Sequence, residues 1–180
     1  MIINKEEIHY EYWDILDKQR NRTGIIHKRG EPFPENAYHL VVSAWVVDSN
    51  GRFLIQRRSL SCGWMPGIWG TPGGSVLSGE DSLTGVIRET KEEAGISLDP
   101  KNAELFCSFK YSNAFFDHWL FIQDFDLSDV ILQEGETMDA RAATCAEICN
   151  MKERGEFIGR KVWNHNFDAF DLLKERFNHD

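Results

Sequence analysis

The sequence predicts an α/β or α+β fold, in one domain spanning residues 1–180. Three observations carry that expectation. Short runs rich in aromatic and β-branched residues alternate along the chain with stretches of helical period. The 180 residues match the size of one domain, and no repeat, low-complexity tract or linker divides them. With 42% hydrophobic and 27% charged residues, the chain has the composition of a globular protein that can own a core.

The elements follow in order. Residues Ile8–Leu16 and Gly24–Lys28 read as short strands around the polar stretch Asp17–Thr23. Tyr38–Asp48 is a longer strand, and Ser49-Asn50-Gly51 is a turn signal that leads into a strand at Arg52–Arg57. Ser59 to Gly79 holds six glycines and two prolines with Trp64 and Trp69 among them. A loop of that length inside a compact domain is usually functional. From Glu80 to Ala94 the period becomes helical, and Gly95 stands where a C-cap glycine belongs. Strands are expected again at Ala103–Tyr111 and His118–Asp124, an acidic loop at Asp126–Glu136, a short helix at Ala146–Arg154 and an amphipathic helix at Phe167–Phe177.

Charge and cysteine usage exclude some roles. The 20 Lys+Arg against 29 Asp+Glu leave a net charge of −9, the wrong sign for a protein that coats a nucleic acid polymer or an anionic membrane. No apolar run approaches a membrane span, and Met1–Glu7 carries no signal-like apolar stretch. Cys62, Cys107, Cys145 and Cys149 form no CxxC pair, which fits reduced thiols and a cytoplasmic location. Cys145 and Cys149 sit one helical turn apart and read as buried thiols. An enzyme acting on small molecules survives these exclusions.

The Glu80–Ala94 helix carries the chemistry. On a helical wheel with Glu89 at zero, Glu93 falls near about 40° and Glu92 near about −60°, so three carboxylates share one flank. Leu83, Val86, Ile87, Thr90 and Ala94 form the adjoining apolar stripe, which places the acids at the edge of the core. Two such charges about 6 Å apart repel by about 0.7 kcal/mol in water but by nearer ~3 kcal/mol at a partly buried edge. Three of them there ask for a divalent cation. Hard oxygen ligands favour Mg²⁺ or Mn²⁺, and Mg²⁺ characteristically bridges to substrate phosphates.

The spacing Gly74-x5-Glu80-x7-Arg88-Glu89-Thr90-x-Glu92-Glu93-x-Gly95-Ile96 resembles the Nudix box, G-x5-E-x7-R-E-U-x-E-E-x-G-U, with U an apolar residue. Every fixed position matches, and Thr90 is a mild departure at the first U. A match by chance in a given register has a probability of roughly 10⁻⁸. The resemblance implies an α/β/α sandwich with a mixed central sheet, in which box residues 74–96 form a loop–helix–loop. It implies a hydrolase that cleaves the pyrophosphate bond of a nucleoside-diphosphate-linked or other small diphosphate compound by water attack on phosphorus. Glu89, Glu92 and Glu93 would be metal ligands, joined by the carbonyl of Gly73 or Gly74. Gly74, Glu80, Arg88 and Gly95 would be structural, with Arg88 orienting a box carboxylate.

The base that activates water stays open between a box glutamate and a later loop acid. Glu136 stands where such an acid is expected, and it reads equally as a solvated loop carboxylate. Arg57 and Arg58 are candidates to meet substrate phosphates, or are a strand-end pair. Trp64 and Trp69 are candidates to stack on a base, with Trp69 better read as packing under the loop.

A second resemblance concerns residues 10–96. Tyr12-Trp13-Asp14-Ile15-Leu16-Asp17, Tyr38-His39-Leu40-Val41-Val42-Ser43-Ala44-Trp45, Leu54-Ile55-Gln56-Arg57-Arg58-Ser59 and Pro66-Gly67-Ile68-Trp69 are similar to the isopentenyl-diphosphate isomerase branch of that superfamily. The isomerase cysteine and its following Gly-His are replaced by Pro72-Gly73-Gly74-Ser75. His39 matches an isomerase metal histidine, but Pro32 stands where its partner would be. The resemblance therefore implies an isomerase-like hydrolase with His39 as a core or loop histidine. Isomerase activity and a non-catalytic nucleotide-sensing module are the alternatives, and a homodimer is an expectation from relatives.

Overall fold

The computed structural model describes residues 10–159 and 168–177. Residues 8, 9 and 167 of the predicted terminal elements lie outside them. Strands β1 (Tyr12–Leu16) and β2 (Arg22–Lys28) form a separate antiparallel pair. The main sheet is built from β3 (His39–Val47), β4 (Phe53–Arg58), β5 (Trp69–Gly70), β6 (Ala103–Tyr111), β7 (Ala114–Ile122) and β8 (Thr137–Ala143). Its order is β5-β4-β3-β7-β6, with β8 also paired to β4. Only β3 and β7 run parallel, so the sheet is mixed. Among the described residues the α-helices are α1 (Ser82–Ala94), α2 (Cys145–Arg154) and α3 (Ala169–Phe177). None of them is long and apolar enough to cross a membrane.

Alternation along β3 sorts the core into two layers, because successive side chains leave a strand on opposite faces. Val42, Ala44 and Val46 pack with Val86 and Ala94 of α1. Trp45 and Val47 pack with Phe53, Leu120 and the inner faces of α2 and α3, through Ile148, Met151, Phe170 and Leu173. The result is the expected α/β/α sandwich with a mixed central sheet.

One irregularity positions the site. Strand β4 meets β3 only at Val47 opposite Phe53 and then diverges toward β8 and β5. The gap is filled by residues 72–76. Val42 donates to the Gly74 carbonyl at 2.9 Å, Ala44 to that of Pro72 at 2.8 Å, and Val76 to that of Leu40 at 2.9 Å. The glycine pair is thereby clamped between β3 and α1.

Several boundaries differ from expectation. Helix α1 begins at Ser82, because Asp81 caps it by accepting from the Thr84 N–H at 2.7 Å, the bond an N-cap carboxylate is suited to make. Gly95 ends it at φ 73°, as predicted. Strand β7 starts at Ala114 instead of His118. Asp117 reads as a strand breaker, yet it is fully buried and accepts from Arg20, Ser82 and Ser108. Strand β8 was not expected, since Thr-Met-Asp-Ala-Arg-Ala-Ala has weak strand propensity; pairing with β4 makes it one.

Candidate active site

Helix α1 projects its acids toward the clamped loop. Glu93 is buried at 3% exposure, and its Oε2 accepts from the Gly73 N–H at 2.8 Å and from Gln56 Nε2. Glu89 is half-buried and Glu92 exposed. Arg88 ties the group together: its Nη1 donates to Glu89 at 3.0 Å and to Glu92 at 2.8 Å, and its Nε donates to Glu80 at 2.9 Å. Its Nη2 reaches the Ser75 carbonyl at 3.0 Å, and Glu80 in turn accepts from the Leu77 N–H at 3.0 Å. Glu80 and Arg88 thus brace the loop against the helix. Thr90, the departure in the motif, is fully buried and satisfies its hydroxyl on the Val86 carbonyl at 2.8 Å.

The two glycines are required for different reasons. A Cβ on Gly73 would lie 2.2 Å from the Val42 carbonyl oxygen, whereas one on Gly74 would lie 2.6 Å from the Glu89 carboxyl carbon. Backbone cannot yield to the first, but a side-chain end can yield to the second. Gly73→Ala should therefore lower the melting temperature markedly. Gly74→Ala should fold with little change while displacing Glu89, with activity falling about 10²-fold for a shift near 1 Å. Thermal melts beside turnover rates separate the two effects.

Burial pushes Glu89 up to about 7, against the pull of Arg88, and pushes Glu93 up to about 8, with Glu89 and Glu136 adding repulsion. Both values exceed the ordinary 4.5. Between roughly pH 4.5 and 8 the folded chain then holds more protons than the unfolded one, so stability falls as pH rises through that window. A cation at the acids reverses the penalty. The expected result is a metal-free melting temperature lower at pH 8.5 than at pH 6, with Mg²⁺ raising it more at pH 8.5.

A cleft of 720 Å³ opens over this cluster. Of the expected site residues, Glu89, Glu92, Glu93, Glu136, Gly73, Gly74, Arg58 and Trp64 line it. Glu136 arrives through its loop: Thr137 Oγ1 donates to the Glu93 carbonyl at 3.0 Å, and the Gln133 N–H does so at 3.3 Å. Arg57 and Trp69 are not among the lining residues. Arg57 Nε holds the Gly67 carbonyl at 2.9 Å, and Trp69 packs against the core beneath the Arg141 guanidinium, 4.9 Å from the ring centre. Their geometry serves the loop rather than a substrate. Arg58 holds the Trp64 carbonyl at 2.9 Å and lies over its ring.

His39 corrects the expectation of a core or loop histidine: it lines the cleft, stacked on Trp13 with centroids 4.5 Å apart. Gln56 was missed altogether, although a lone amide after Phe53-Leu54-Ile55 was a signal for a buried polar contact.

The donor set suits a hard divalent ion, being carboxylate and carbonyl oxygens only. Two crowded acids, Glu93 buried and Glu89 half-buried, with raised pKa values carry the charge that such an ion neutralises. Among the described residues no three His, Cys, Asp or Glu side chains converge as a formed metal group, and Arg88 supplies the countercharge in this conformation.

An acid-bearing loop–helix–loop set into a mixed sheet, under a cleft of this size, defines the class of Nudix-type hydrolases. A NUDIX domain model matches residues 37–165. An uncharacterized Nudix hydrolase of Listeria monocytogenes is 36% identical over 159 residues, covering 88% of this chain and 94% of its own. An isopentenyl-diphosphate isomerase of Citrobacter koseri is 33% identical over 89 residues, 49% of each chain. Among solved structures, a Deinococcus radiodurans protein superposes with TM-score 0.71 at 21% identity, covering 94% of this chain and 100% of that one. A MutT protein of Methanosarcina mazei gives 0.60 at 25%, covering 82% and 100%. The chain belongs to the Nudix family, and is a hydrolase acting on phosphoric anhydrides.

Proposed function

We propose that the chain is a Mg²⁺- or Mn²⁺-dependent pyrophosphohydrolase of a small diphosphate compound. The observation that carries this reading is the meeting of Glu89, Glu93 and Glu136 in one cleft, with the two helix acids held above the ordinary carboxylate range by burial. Glu89, Glu92 and Glu93 would hold the ion, with the carbonyl of Gly73. Bound there, it would neutralise diphosphate charge and acidify a water molecule.

The chain's own residues divide the remaining work. Gly73 N–H and Gln56 anchor Glu93 on one oxygen, so that acid is fixed in place. Glu136 is half-buried on the cleft wall, and we assign it the proton of the attacking water. The water oxygen forms the new bond to phosphorus, the bridging oxygen leaves, and the proton passes to the Glu136 carboxylate. Arg58 places positive charge on the same wall.

The test is a panel of diphosphate compounds with Mg²⁺ and with Mn²⁺, scored for phosphate-containing products. At least one compound should be split into two phosphorylated fragments, and Glu136→Gln should slow that cleavage by about 10²-fold or more. Cleavage of none would refute the reading. Isopentenyl diphosphate should not be isomerised, since Pro72-Gly73-Gly74-Ser75 offers no thiol.

A further inference from the structure

The turn that leads into α1 is held from behind by the β1–β2 hairpin. Glu80 N–H closes the turn on the Leu77 carbonyl at 3.1 Å, and Gly79 within it takes φ 89°, a conformation that favours glycine. The donors left over go to β1. Ser78 N–H donates to the Tyr12 carbonyl at 2.7 Å, Ser78 Oγ to Asp14 Oδ1 at 2.7 Å, and Gly79 N–H to Asp14 Oδ2 at 3.0 Å. Arg22 of β2 completes the clasp: its Nη2 donates to the Glu80 carbonyl, and its Nε lies 3.3 Å from Asp14 Oδ2. The hairpin register shifts between Asp14 and Leu16, the kind of break that redirects a strand side chain.

The hairpin is itself fixed to the sheet. Arg20, in its connecting turn, donates to Asp117 Oδ1 at 2.9 Å, and Asp117 also accepts at 2.5 Å from the hydroxyl of Ser82, the first residue of α1. Leu16 and Tyr38 exchange backbone bonds at 2.7 and 3.0 Å, bridging β1 to the residue before β3. Burial alone would raise the pKa of Asp14, but Gly79 N–H, the Ser78 hydroxyl and Arg22 hold it below the usual carboxylate range, so both oxygens accept at neutral pH. On the far side of the turn Glu80 grips Arg88, and Arg88 grips Glu89 and Glu92. An unbroken path of hydrogen bonds thus runs from Asp14 to the helix acids. Both hairpin strands precede residue 37, where the matched domain begins, so the clasp is an addition to the box and not part of it.

We propose that Asp14, backed by Arg22, is a positioning residue for the reaction: by fixing the Ser78–Glu80 turn it sets the Glu80–Arg88 pair, and through that pair the placement of Glu89 and Glu92. The inference rests on the reading of those acids as the groups that hold the ion. Residues that orient metal ligands from behind typically carry about 10–100-fold of affinity or activity. Asp14 acts through Glu80 and Arg88, so the lower end of that range, about tenfold, is expected of it. A brace that served stability alone would lower the melting temperature and leave ion affinity where it was.

The test uses the full chain and two readouts. One is equilibrium titration with Mn²⁺ alone, the free ion being followed by electron paramagnetic resonance. The other is the Arg88 Nε–H resonance of the metal-free protein. Asp14→Ala should weaken Mn²⁺ binding about tenfold and shift the Arg88 signal. Asp14→Asn keeps one acceptor oxygen and should recover part of both. Asp17→Ala is the control: that carboxylate accepts from the Gln19 and Asn21 N–H groups within the hairpin turn, at 2.8 and 2.9 Å, and its loss should leave both readouts as in the parent. The inference is overturned if Asp14→Ala binds Mn²⁺ as the parent does, if its Arg88 signal is unmoved, or if Asp17→Ala weakens binding equally. Should Asp14→Ala fail to fold, Ser78→Ala, which removes one bond of the clasp from the loop side, replaces it with the same expected directions. A parent that bound no Mn²⁺ would count against the metal reading, and the Arg88 signal would then decide the clasp alone. Failure of the clasp leaves ion binding by the parent standing.

Discussion

Glu93→Gln is expected to cut turnover by about 10³-fold or more, the scale seen when a key electrostatic group is lost from a site. The amide keeps the shape of the acid and an oxygen for Gly73 N–H and Gln56, so the loop clamp should survive. The variant also removes the buried charge whose pKa burial raises to about 8. Its melting temperature should therefore match or exceed that of the parent at pH 8.5, where the parent acid is ionised. Circular dichroism melts beside initial rates check both halves. Turnover near the parent level would remove Glu93 from the chemistry.

Arg88→Met is the second large effect, and here stability falls. Arg88 is four-fifths buried among Glu80, Glu89 and Glu92, and methionine fills its stem without the charge. Stranding partly buried carboxylates costs about 3–5 kcal/mol. For a domain of this size that lowers the melting temperature by roughly 6–20 °C. Because two of the stranded groups, Glu89 and Glu92, are assigned to hold an ion, saturating Mg²⁺ should recover more of the loss in this variant than it adds to the parent. A loss of a degree or less, or recovery no greater than the parent's gain, would show that Arg88 does not neutralise the cluster.

The box helix was legible because its information is local. Seven residues at fixed spacing put three acids on one flank, and the structure keeps Glu89 and Glu93 beside Gly73 and Gly74 as that spacing implies. What lay hidden depends on chain segments far apart in sequence. Nothing in Phe53–Arg58 announces that β4 leaves β3, yet that divergence lets residues 72–76 enter the sheet and deliver Gly73 N–H to Glu93. The flank placed Glu93 at the core's edge, whereas Gln56 and the 133–137 loop complete its burial. Arg57 and Arg58 are neighbours in sequence, yet only Arg58 lines the cleft, because strand alternation sends Arg57 to the Gly67 carbonyl; of the two loop tryptophans, Trp64 lines it and Trp69 does not. Strand β8 was missed because its alanines take their conformation from β4 and not from their own propensity.

The central claim is that Glu89, Glu92 and Glu93 grip a divalent cation. Crystals soaked in Mn²⁺ and measured for anomalous scattering test it directly. The account predicts a strong peak within bonding distance of Glu89 and Glu93 carboxylate oxygens, with Arg88 released from Glu89. Saturating Mn²⁺ with no peak there, and the acids still paired to Arg88, would contradict it.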